Sequence, residues 1–570
     1  MIFSSFPDSA LDAIEWPWGE YEPYFKDLIE RPLDADNLEE WMSDWSRLLM
    51  LVREVYSRLY VATTLDTADE KAEKHFFSFL EDIFNPSESA TQTLKQKLLD
   101  SGLIPANFDT QIRIMQTEAE LFREENLPLL SKEQKQSNVY DKIVGAQLVE
   151  WDGEEVTLQQ LQPVYQDSDR ERREKAWRLA MDRWLQDRQA INDLWLQFMV
   201  LRREIAGNAG YSSYCPYRWQ QLARLDYTPE QCVQFDEAIA REVVPAASKV
   251  YEKRRQRLGI DKLRPWDLNV DPLNRPPLRP YKDDEELKNK CSLVFGQVDS
   301  KLGDYFDTMR REKLLDLENR KGKAPGAYCI DYMLAKRPFI LMNGVGIHND
   351  VQTLLHESGH AFHVFETVDL PYAQQQFYGT EIAEVASMSM ELLAAPYLEK
   401  ELGGFYSPAD AARARIEHLE EALLFWPYMA VVDMFQHWVY QDHQAASDPD
   451  NCDARWGQLW QRFMAGVDWS GLEDEKVTGW HRKLHIHQLP FYYVDYGLAQ
   501  LGAVQVWANS LQNKETAVAD YRKALSLGGT RPLPELYAAA GARLAFDAET
   551  LSQAVDLMMN TIEELEQVGE

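Results

Sequence analysis

The sequence predicts a mostly α-helical protein, and three observations support that prediction. Apolar residues recur every three or four positions among charged residues over 37–130, 170–206 and 229–258, which is typical of amphipathic helices. The β-prone runs are short, and most of them lie in two candidate hairpins. A chain of 570 residues is also long enough to bury a large hydrophobic core between such helices.

Two interruptions divide the helical pattern. Asp152-Gly153 stands between two β-prone runs in residues 144–158, and such a dipeptide between such runs predicts a β-hairpin. Residues 263–280 contain five prolines, which a helix cannot accommodate. We therefore expect a long ordered loop or linker there, on the way to the second half of the chain.

A second candidate hairpin consists of the β-prone runs 328–332 and 338–342. An exposed strand edge beside a catalytic helix can hold an extended peptide through main-chain hydrogen bonds. On this interpretation the second run and the residues just after it contact substrate, through Phe339, Ile340, Leu341 and Gly344. The alternative is an ordinary β-ribbon that packs under the next helix, and the sequence leaves both open.

Residues 350–366 carry His356-Glu-Ser-Gly-His360, an H-E-x-x-H pattern whose spacing has a direct chemical meaning. Residues four apart on a helix differ by about 40° around its axis, so His356 and His360 can offer two imidazole nitrogens to one metal ion. Glu357 then lies beside that metal, where it can take a proton from a metal-bound water as a general base.

A second metal helix is predicted over residues 380–395. Glu384 on this helix follows His356 by 28 residues and is the candidate third ligand. Glu381 and Glu391 share its helix face. Each is a candidate for orienting a ligand imidazole through a hydrogen bond, with a solvated carboxylate as the alternative.

Both metal helices have predicted start signals, which are Asn349 or Asp350 for the first and Thr380 for the second. A third histidine ligand on the first helix is not expected. Some zinc enzymes break that helix with a glycine three residues after the second histidine, and here this position is His363. We therefore interpret His363 as a core or supporting histidine.

Residues 481–499 bring three histidines and three tyrosines into one short stretch. A hydrolase that turns a planar amide into a tetrahedral intermediate needs donors aimed at the developing oxyanion, and neutral imidazoles or tyrosine hydroxyls can serve. The alternative is that the tyrosines are core residues at the start of a helix.

Charge and cysteine content limit the classes of partner. A formal net charge of −33 argues against nucleic acid or an anionic membrane surface as a partner. The five cysteines include no C-x-x-C pair, so neither a disulfide framework nor a thiolate zinc site is expected. The start of the chain lacks a signal-peptide pattern, and no apolar run of about 18 residues occurs. We expect a cytoplasmic protein, and the sequence leaves a homo-oligomer open.

Three motifs together carry a resemblance to a known family. They are His356-Glu-Ser-Gly-His360, Glu384-Val-Ala-Ser387, and His487 followed by Tyr492, Tyr493 and Tyr496. The chain resembles the zinc oligopeptidases typified by thimet oligopeptidase and oligoendopeptidase F, and is most similar to the oligoendopeptidase F-like bacterial branch. The resemblance is strong over residues 320–505. It implies a two-lobed helical zincin-type fold around a deep channel that admits short peptides.

The resemblance also implies roles for the metal residues. One zinc ion per chain would be held by His356, His360 and Glu384, and Glu357 would act as the general base.

The implied transition-state donors are His487 and one or two tyrosines. Offsets of +5 and +9 from His487 give Tyr492 and Tyr496, whereas an offset of +6 gives Tyr493. A tyrosine found at +12 in the thimet branch is Ala499 here, so the identity of the hydroxyl donor stays open.

The expected domain organisation has two parts. Residues 1–180 form an N-terminal helical lobe that includes the hairpin near 144–158. Residues 181–570 form the catalytic region, with the two metal helices and the His/Tyr segment.

The predicted function is zinc-dependent hydrolysis of internal bonds in short unstructured peptides. One alternative is a zinc carboxypeptidase or dipeptidyl carboxypeptidase, which would need a cation to hold the terminal carboxylate of its substrate. A remote alternative is a non-catalytic helical binding protein. It fits Glu357 poorly, because a closed structural zinc site needs four ligands and no base.

Overall fold

A computed structural model of the chain describes residues 2–67, 69–320, 322–324 and 326–569. In chain order, the helices before the proline-rich segment are α1 (Ala10–Ala13), α2 (Trp18–Glu30), α3 (Leu38–Leu65), α4 (Glu70–Phe79), α5 (Asn85–Ser101), α6 (Asp109–Leu121), α7 (Asn126–Gly145), α8 (Arg170–Gln186), α9 (Arg188–Asn208), α10 (Tyr214–Gln221), α11 (Pro229–Ala238) and α12 (Val244–Leu258).

The helices after that segment are α13 (Asp284–Val298), α14 (Ser300–Arg311), α15 (His348–Thr367), α16 (Thr380–Ala394), α17 (Pro408–Gln441), α18 (His443–Ala446), α19 (Pro449–Phe463), α20 (Glu473–Val477), α21 (Leu484–Gln488), α22 (Tyr493–Gln512), α23 (Lys514–Ser526), α24 (Leu533–Ala539) and α25 (Ala548–Gly569). The prediction of a mostly helical fold with small β elements is confirmed.

The first sheet is the predicted Asp-Gly hairpin. Strands β1 (Leu148–Trp151) and β2 (Glu154–Thr157) pair antiparallel. Asp152 and Gly153 connect them with φ angles of 53° and 87°. A two-residue type I′ turn needs positive φ at both positions, which Asp-Gly supplies at low cost.

The second sheet contains strands β3 (Leu315–Glu318), β4 (Tyr328–Tyr332) and β5 (Arg337–Gly344) in the order β3-β5-β4. β4 and β5 pair antiparallel, with Cys329 opposite Ile340, so the predicted second hairpin is confirmed. The sequence does not predict β3, which pairs parallel to the other side of β5.

The central position of β5 corrects the substrate role expected for its residues. Phe339, Ile340 and Leu341 are 7%, 0% and 0% exposed, and both edges of their strand are paired. Gly344 is also engaged, because its carbonyl accepts a hydrogen bond from the Asn319 N–H. A peptide cannot add to a strand whose main-chain groups are already paired. Among the described strands, the unpaired edge that packs near α15 belongs to β4.

Contacts group the chain into two compact units, each made of three chain segments. The first unit contains residues 1–120, 279–411 and 502–544, and the second contains residues 121–278, 412–501 and 545–570. The expected division near residue 180 runs along the sequence and stays a prediction.

Each unit has its own aromatic core. In the first, α3 buries Trp41 and Trp45 with their ring centroids 5.2 Å apart. In the second, Trp195 of α9 contacts Trp480 in an edge-to-face arrangement at 5.3 Å. Large rings of this kind contribute much of the apolar area that a helical fold removes from water.

The proline-rich segment 263–280 is irregular, as predicted, apart from a 3₁₀ turn at Pro265–Asp267 and a hydrogen-bonded turn at 271–274. Arginines from neighbouring helices hold it in place. Arg254 donates to the Val270 carbonyl at 2.6 Å, and Arg413 donates to the Pro276 carbonyl at 2.8 Å. These donors satisfy carbonyl groups that a chain without a ladder cannot pair by itself.

No helix within the described ranges is long and apolar enough to cross a membrane. The five cysteines are free thiols.

Candidate metal centre and histidine–tyrosine cluster

Asp350 anchors the start of α15. Its Oδ2 accepts hydrogen bonds from the backbone N–H groups of residues 345–347 at 2.8–2.9 Å and from the Tyr281 hydroxyl at 2.5 Å. Ile347 occupies the N-cap, so neither Asn349 nor Asp350 holds the cap position expected for it. Asp350 caps the helix from its third residue instead, where a carboxylate also suits the positive end of the helix dipole.

Gly359 allows α15 and α16 to approach each other closely. A Cβ atom at this position would lie 2.5 Å from Ser387 Cα and 2.6 Å from the Ala386 carbonyl oxygen. Any other residue would therefore push the helices apart. The missing side chain lets the metal-ligand candidates of the two helices face each other.

Two imidazoles from α15 and one carboxylate from α16 converge on one point. Glu384 Oε2 lies 3.4 Å from His356 Nε2 and 3.7 Å from His360 Nε2. One ligand atom from each of the three residues lies within 4.8 Å of the others. The structure thus brings together the three residues that the sequence predicts as metal ligands.

Two further side chains hold these groups in place. Glu391 Oε1 lies 2.6 Å from His356 Nδ1, and Ser387 Oγ donates to Glu384 Oε2 at 3.0 Å. A hydrogen bond at Nδ1 favours the tautomer whose lone pair is on Nε2, the nitrogen that faces Glu384. Glu381 is buried on the same helix, and a supporting role for it stays a prediction.

The carboxylate of Glu357 is 7% exposed. Burial raises its pKa to about 7, although a hydrogen bond from the Cys329 backbone N–H acts to lower that pKa. Cys329 lies on β4, so this contact joins the edge strand to the H-E-x-x-H motif. A carboxyl group with a pKa near neutrality can both accept and release a proton at physiological pH.

The two candidate ligand histidines differ in proton affinity. Burial acts to lower the pKa of His356, but Glu384 and Glu391 outweigh it and raise that pKa well above its ordinary value. Burial lowers the pKa of His360 to about 4. The carboxylates therefore stabilise positive charge at this point of the structure.

The donor set fits a zinc ion. Catalytic zinc sites use three protein ligands of imidazole and carboxylate type and keep a fourth position open. The side chains of His356 and His360 are 25% and 23% exposed, so the site is reachable from solvent. A buried base stands next to them, as hydrolysis requires.

His363 is a core residue, in line with its sequence interpretation. It is 0% exposed, and its ring stacks on Tyr378 with 3.6 Å between centroids. Burial lowers its pKa to about 3, so the ring is neutral.

A second group of side chains, which we name the histidine–tyrosine cluster, consists of His485, Tyr492, Tyr493 and Tyr496. The centroid of the His485 ring lies 5.9 Å from Tyr492, 4.8 Å from Tyr493 and 6.0 Å from Tyr496. The start of α22 places Tyr493 and Tyr496 one turn apart on one face. Burial lowers the pKa of His485 to about 4, so its imidazole is neutral and can donate a hydrogen bond.

His487 lies elsewhere in the same unit. It is 0% exposed, and its ring contacts Tyr140 at 4.6 Å, Trp195 at 5.9 Å and Trp480 at 5.8 Å. The histidine that the structure brings to the three tyrosines is therefore His485, not the predicted His487. The sequence shows both histidines within two residues, and tyrosine offsets alone do not separate them.

The fold and the metal site together define the class of this protein. It is a helical protein whose H-E-x-x-H helix is of the zincin type. The chain belongs to Peptidase family M3, whose sequence model matches residues 164–556. Its relatives place it in the oligoendopeptidase F-like branch, which confirms the resemblance stated above.

Two curated relatives show the extent of the sequence match. An oligoendopeptidase F homolog of Borreliella burgdorferi is 23% identical over 333 residues, which cover 57% of this chain and 54% of that protein. The group B oligopeptidase PepB of Streptococcus agalactiae is 27% identical over 189 residues, covering 32% of this chain and 30% of that protein. The chain therefore matches about half or less of the length of these relatives.

Solved structures match over almost the whole chain. A structure of PZ peptidase A with an inhibitor has a TM-score of 0.87 and 27% identity, and 99% of both chains is covered. Oligoendopeptidase F from Enterococcus faecium has a TM-score of 0.63 and 16% identity, covering 97% of this chain and 98% of that one. The second likeness is one of fold alone.

Proposed function

We propose that this protein is a zinc-dependent oligoendopeptidase that hydrolyses internal bonds of short unstructured peptides. The observation that carries the proposal is the convergence of His356, His360 and Glu384 beside the buried carboxylate of Glu357. Three ligands with an adjacent base suit hydrolysis, whereas a closed structural site has four ligands and needs no base. Membership of the M3 family supports the same activity.

The proposed cofactor is one zinc ion per chain, held by His356, His360 and Glu384. When bound, zinc supplies Lewis-acid chemistry that lowers the pKa of water to about 7 and polarises a peptide carbonyl. Glu391 keeps the Nε2 of His356 directed at the metal position. Ser387 restrains the carboxylate of Glu384 in the same way.

Glu357 is the proposed general base and, later, the general acid. Its carboxylate takes a proton from the attacking water and returns that proton to the nitrogen of the leaving amine. The backbone of Cys329 lies close enough to favour the charged form of this carboxylate. Glu357 is too well buried to be a freely solvated surface carboxylate.

The histidine–tyrosine cluster is the proposed source of oxyanion donors. We assign the histidine role to His485, because it contacts the three tyrosines and is neutral. Together with Tyr493 or Tyr496, and with Tyr492 as the third candidate, it would donate to the carbonyl oxygen that gains negative charge.

The edge of β4 is the proposed binding strand for the peptide backbone. This strand pairs only with β5 in the described sheet, and Cys329 connects it to Glu357. Main-chain pairing holds a peptide without demanding particular side chains, which suits an enzyme for varied short peptides.

A cytoplasmic location is the remaining proposal, and the five free cysteines support it. The net charge of −33 supports peptides as partners over nucleic acid. We also retain residues 1–180 and 181–570 as the proposed functional division of the chain.

The test is mass spectrometry of the products from a ladder of unstructured peptides, from about 5 to about 40 residues, with chelator and with zinc added back. We expect internal cuts in the shorter peptides that are lost with the chelator and restored by zinc. Stepwise release of one or two C-terminal residues would replace the proposal with a carboxypeptidase. No cleavage by the zinc-loaded protein would refute it.

A further inference from the structure

Lys483 is a cation that no sequence motif includes. It lies two residues before His485 and is half-buried. Its ammonium group stands over the Tyr493 ring, 3.9 Å from the centroid, and 5.4 Å from the centroid of Tyr428. Lys483 therefore belongs to the immediate surroundings of the histidine–tyrosine cluster.

No carboxylate of the described residues pairs with Lys483. Several other lysines of the chain have close acidic partners, at 2.8 Å for Lys262 and Asp468 and at 2.7 Å for Lys290 and Glu286. The chain has 93 acidic and 60 basic residues, so acidic partners are plentiful. Lys483, by contrast, has only its aromatic contacts to offset the burial of its charge.

The position is costly for a positive charge. Burial lowers the pKa of Lys483 to about 8, and no neighbouring anion offsets that effect. The adjacent Arg482 is also cationic, and its guanidinium donates to the Glu475 carbonyl at 2.7 Å. An anion that reached Lys483 would offset the cost of burying its positive charge and would form a charge-assisted hydrogen bond with the ammonium group.

We propose that Lys483 binds a carboxylate of the peptide substrate. This inference rests on the proposed function, because it treats the histidine–tyrosine cluster as part of a peptide site. The carboxylate is either the C-terminal α-carboxylate or the side chain of an acidic residue, since both present the same chemistry. Peptides that place a carboxylate at this point are thus preferred over matched neutral peptides.

A purely structural role would be the stacking of the ammonium on Tyr493, which is a cation–π contact. The two roles predict different results for substitution. Lys483→Arg keeps a cation over the ring and serves both roles. Lys483→Met keeps the unbranched apolar stem and removes the charge, so it removes recognition of a carboxylate.

The experiment compares kcat and KM of the zinc-loaded full-length protein on matched short peptides. One pair differs only in a free or amidated C-terminus, and a second pair differs only in Asp or Asn. We expect the wild type to prefer the carboxylate form of one pair roughly tenfold or more, mainly through KM. Lys483→Met should abolish that preference while still cleaving the neutral peptide, and Lys483→Arg should retain most of it.

Lys476→Met is the matched control. Lys476 lies seven residues earlier, is also half-buried, and its loss changes the net charge by the same amount. It should leave the preference unchanged. An unchanged preference in Lys483→Met, or no preference in the wild type for either pair, would overturn the inference.

Failure of the proposed function gives a different result. If no peptide is cleaved, fluorescence anisotropy with labelled acid and amide peptides still measures binding to the full-length protein. Weaker binding of the acid form by Lys483→Met than by the wild type would support the carboxylate site without the peptidase. Equal binding by the two proteins would overturn it.

Discussion

At the scale of single residues, the proposed chemistry depends on the carboxylate of Glu357. Glu357→Gln keeps the shape of the side chain but removes its ability to take a proton. We expect kcat to fall by roughly 10²- to 10⁴-fold, while zinc content stays near one ion per chain because Glu357 is not a proposed ligand. Steady-state kinetics and elemental analysis check both parts. Retained activity, or loss of zinc, would contradict the assigned role.

Glu391 and Glu381 provide a matched pair for testing support of the metal. Both lie on α16, where Glu381 is buried and Glu391 is half-buried, and Glu391 Oε1 is hydrogen-bonded to His356 Nδ1 at 2.6 Å. We expect Glu391→Gln to weaken zinc binding by about 10- to 100-fold, because the amide lacks the negative charge that strengthens this hydrogen bond and raises the basicity of the imidazole. Glu381→Gln should weaken zinc binding less. Competition with a chromophoric chelator measures both affinities, and equal losses would contradict this assignment.

His485 and His487 form a second matched pair. His485→Ala should reduce kcat by about 10²-fold or more, because it removes a proposed oxyanion donor, with little loss of stability. His487→Ala should mainly lower the free energy of unfolding, because its ring is packed among Tyr140, Trp195 and Trp480. Kinetics at a temperature where both variants are folded separates the two effects, and the reverse pattern would restore His487 to the active site.

The sequence predicts the metal residues correctly as a spatial group but does not predict which histidine joins the tyrosines. The i, i+4 geometry of a helix places His356 and His360 on one face, wherever the rest of the chain lies. His485 and His487 both lie in the short helix α21, about 200° apart around its axis, and only tertiary packing decides which of them faces the tyrosines. A spacing rule has no information about that packing.

At the scale of elements, the close contact of α15 and α16 determines the metal geometry. Gly359→Ala would place a Cβ 2.5 Å from Ser387 Cα, and helix backbones cannot relieve such a clash without moving. We expect a loss of about 1–3 kcal/mol in the free energy of unfolding, together with weaker zinc binding.

Gly207 is the control for the same substitution. It also lies in a helix, α9, and a Cβ there would meet no atom within 4 Å. Gly207→Ala should be neutral or slightly stabilising, because alanine has the higher helix propensity. Denaturant unfolding monitored by tryptophan fluorescence compares the two variants. Equal effects would show that Gly359 is replaceable and that the helices can separate freely.

The strand pairings differ in how well the sequence predicts them. Both antiparallel hairpins are predictable, because each pairs neighbouring runs of chain through a short connection. β3 has only four residues and pairs in parallel with a strand about twenty residues later, so no local pattern reveals it. Without β3, β5 looks like an edge strand, and that is why the sequence favours a substrate role for its residues.

At the scale of the whole molecule, helical content is predictable but the grouping of helices is not. Periodicity reports which face of each segment is buried, not which partner buries it. Each of the two compact units contains segments from early, middle and late parts of the chain, and periodicity alone cannot reveal that grouping. The family model matches residues 164–556, and the likeness to a solved structure covers 99% of the chain.

Buried neutral histidines predict how the stability of the molecule depends on pH. Burial lowers the pKa of His487 to about 3 and lowers the pKa of His481 well below its ordinary value. In the unfolded chain a histidine has a pKa of about 6.5, so between these values the unfolded state binds more protons. The contribution of these histidines to the free energy of unfolding is therefore fully present above about pH 6.5. It falls as the pH drops, by up to about 1.4 kcal/mol per pH unit for each such histidine.

Urea unfolding of the metal-free protein at several pH values between about 8 and 5 measures this slope, and the chelator removes the separate effect of pH on zinc binding. His487→Phe should reduce the slope by about one histidine's share, because a phenyl ring fills the same aromatic surroundings and never takes a proton. Comparison at pH 8, where neither protein loses stability by protonation, isolates the packing change. A slope in His487→Phe equal to that of the wild type would mean that His487 is hydrated in the native state and does not contribute to acid sensitivity.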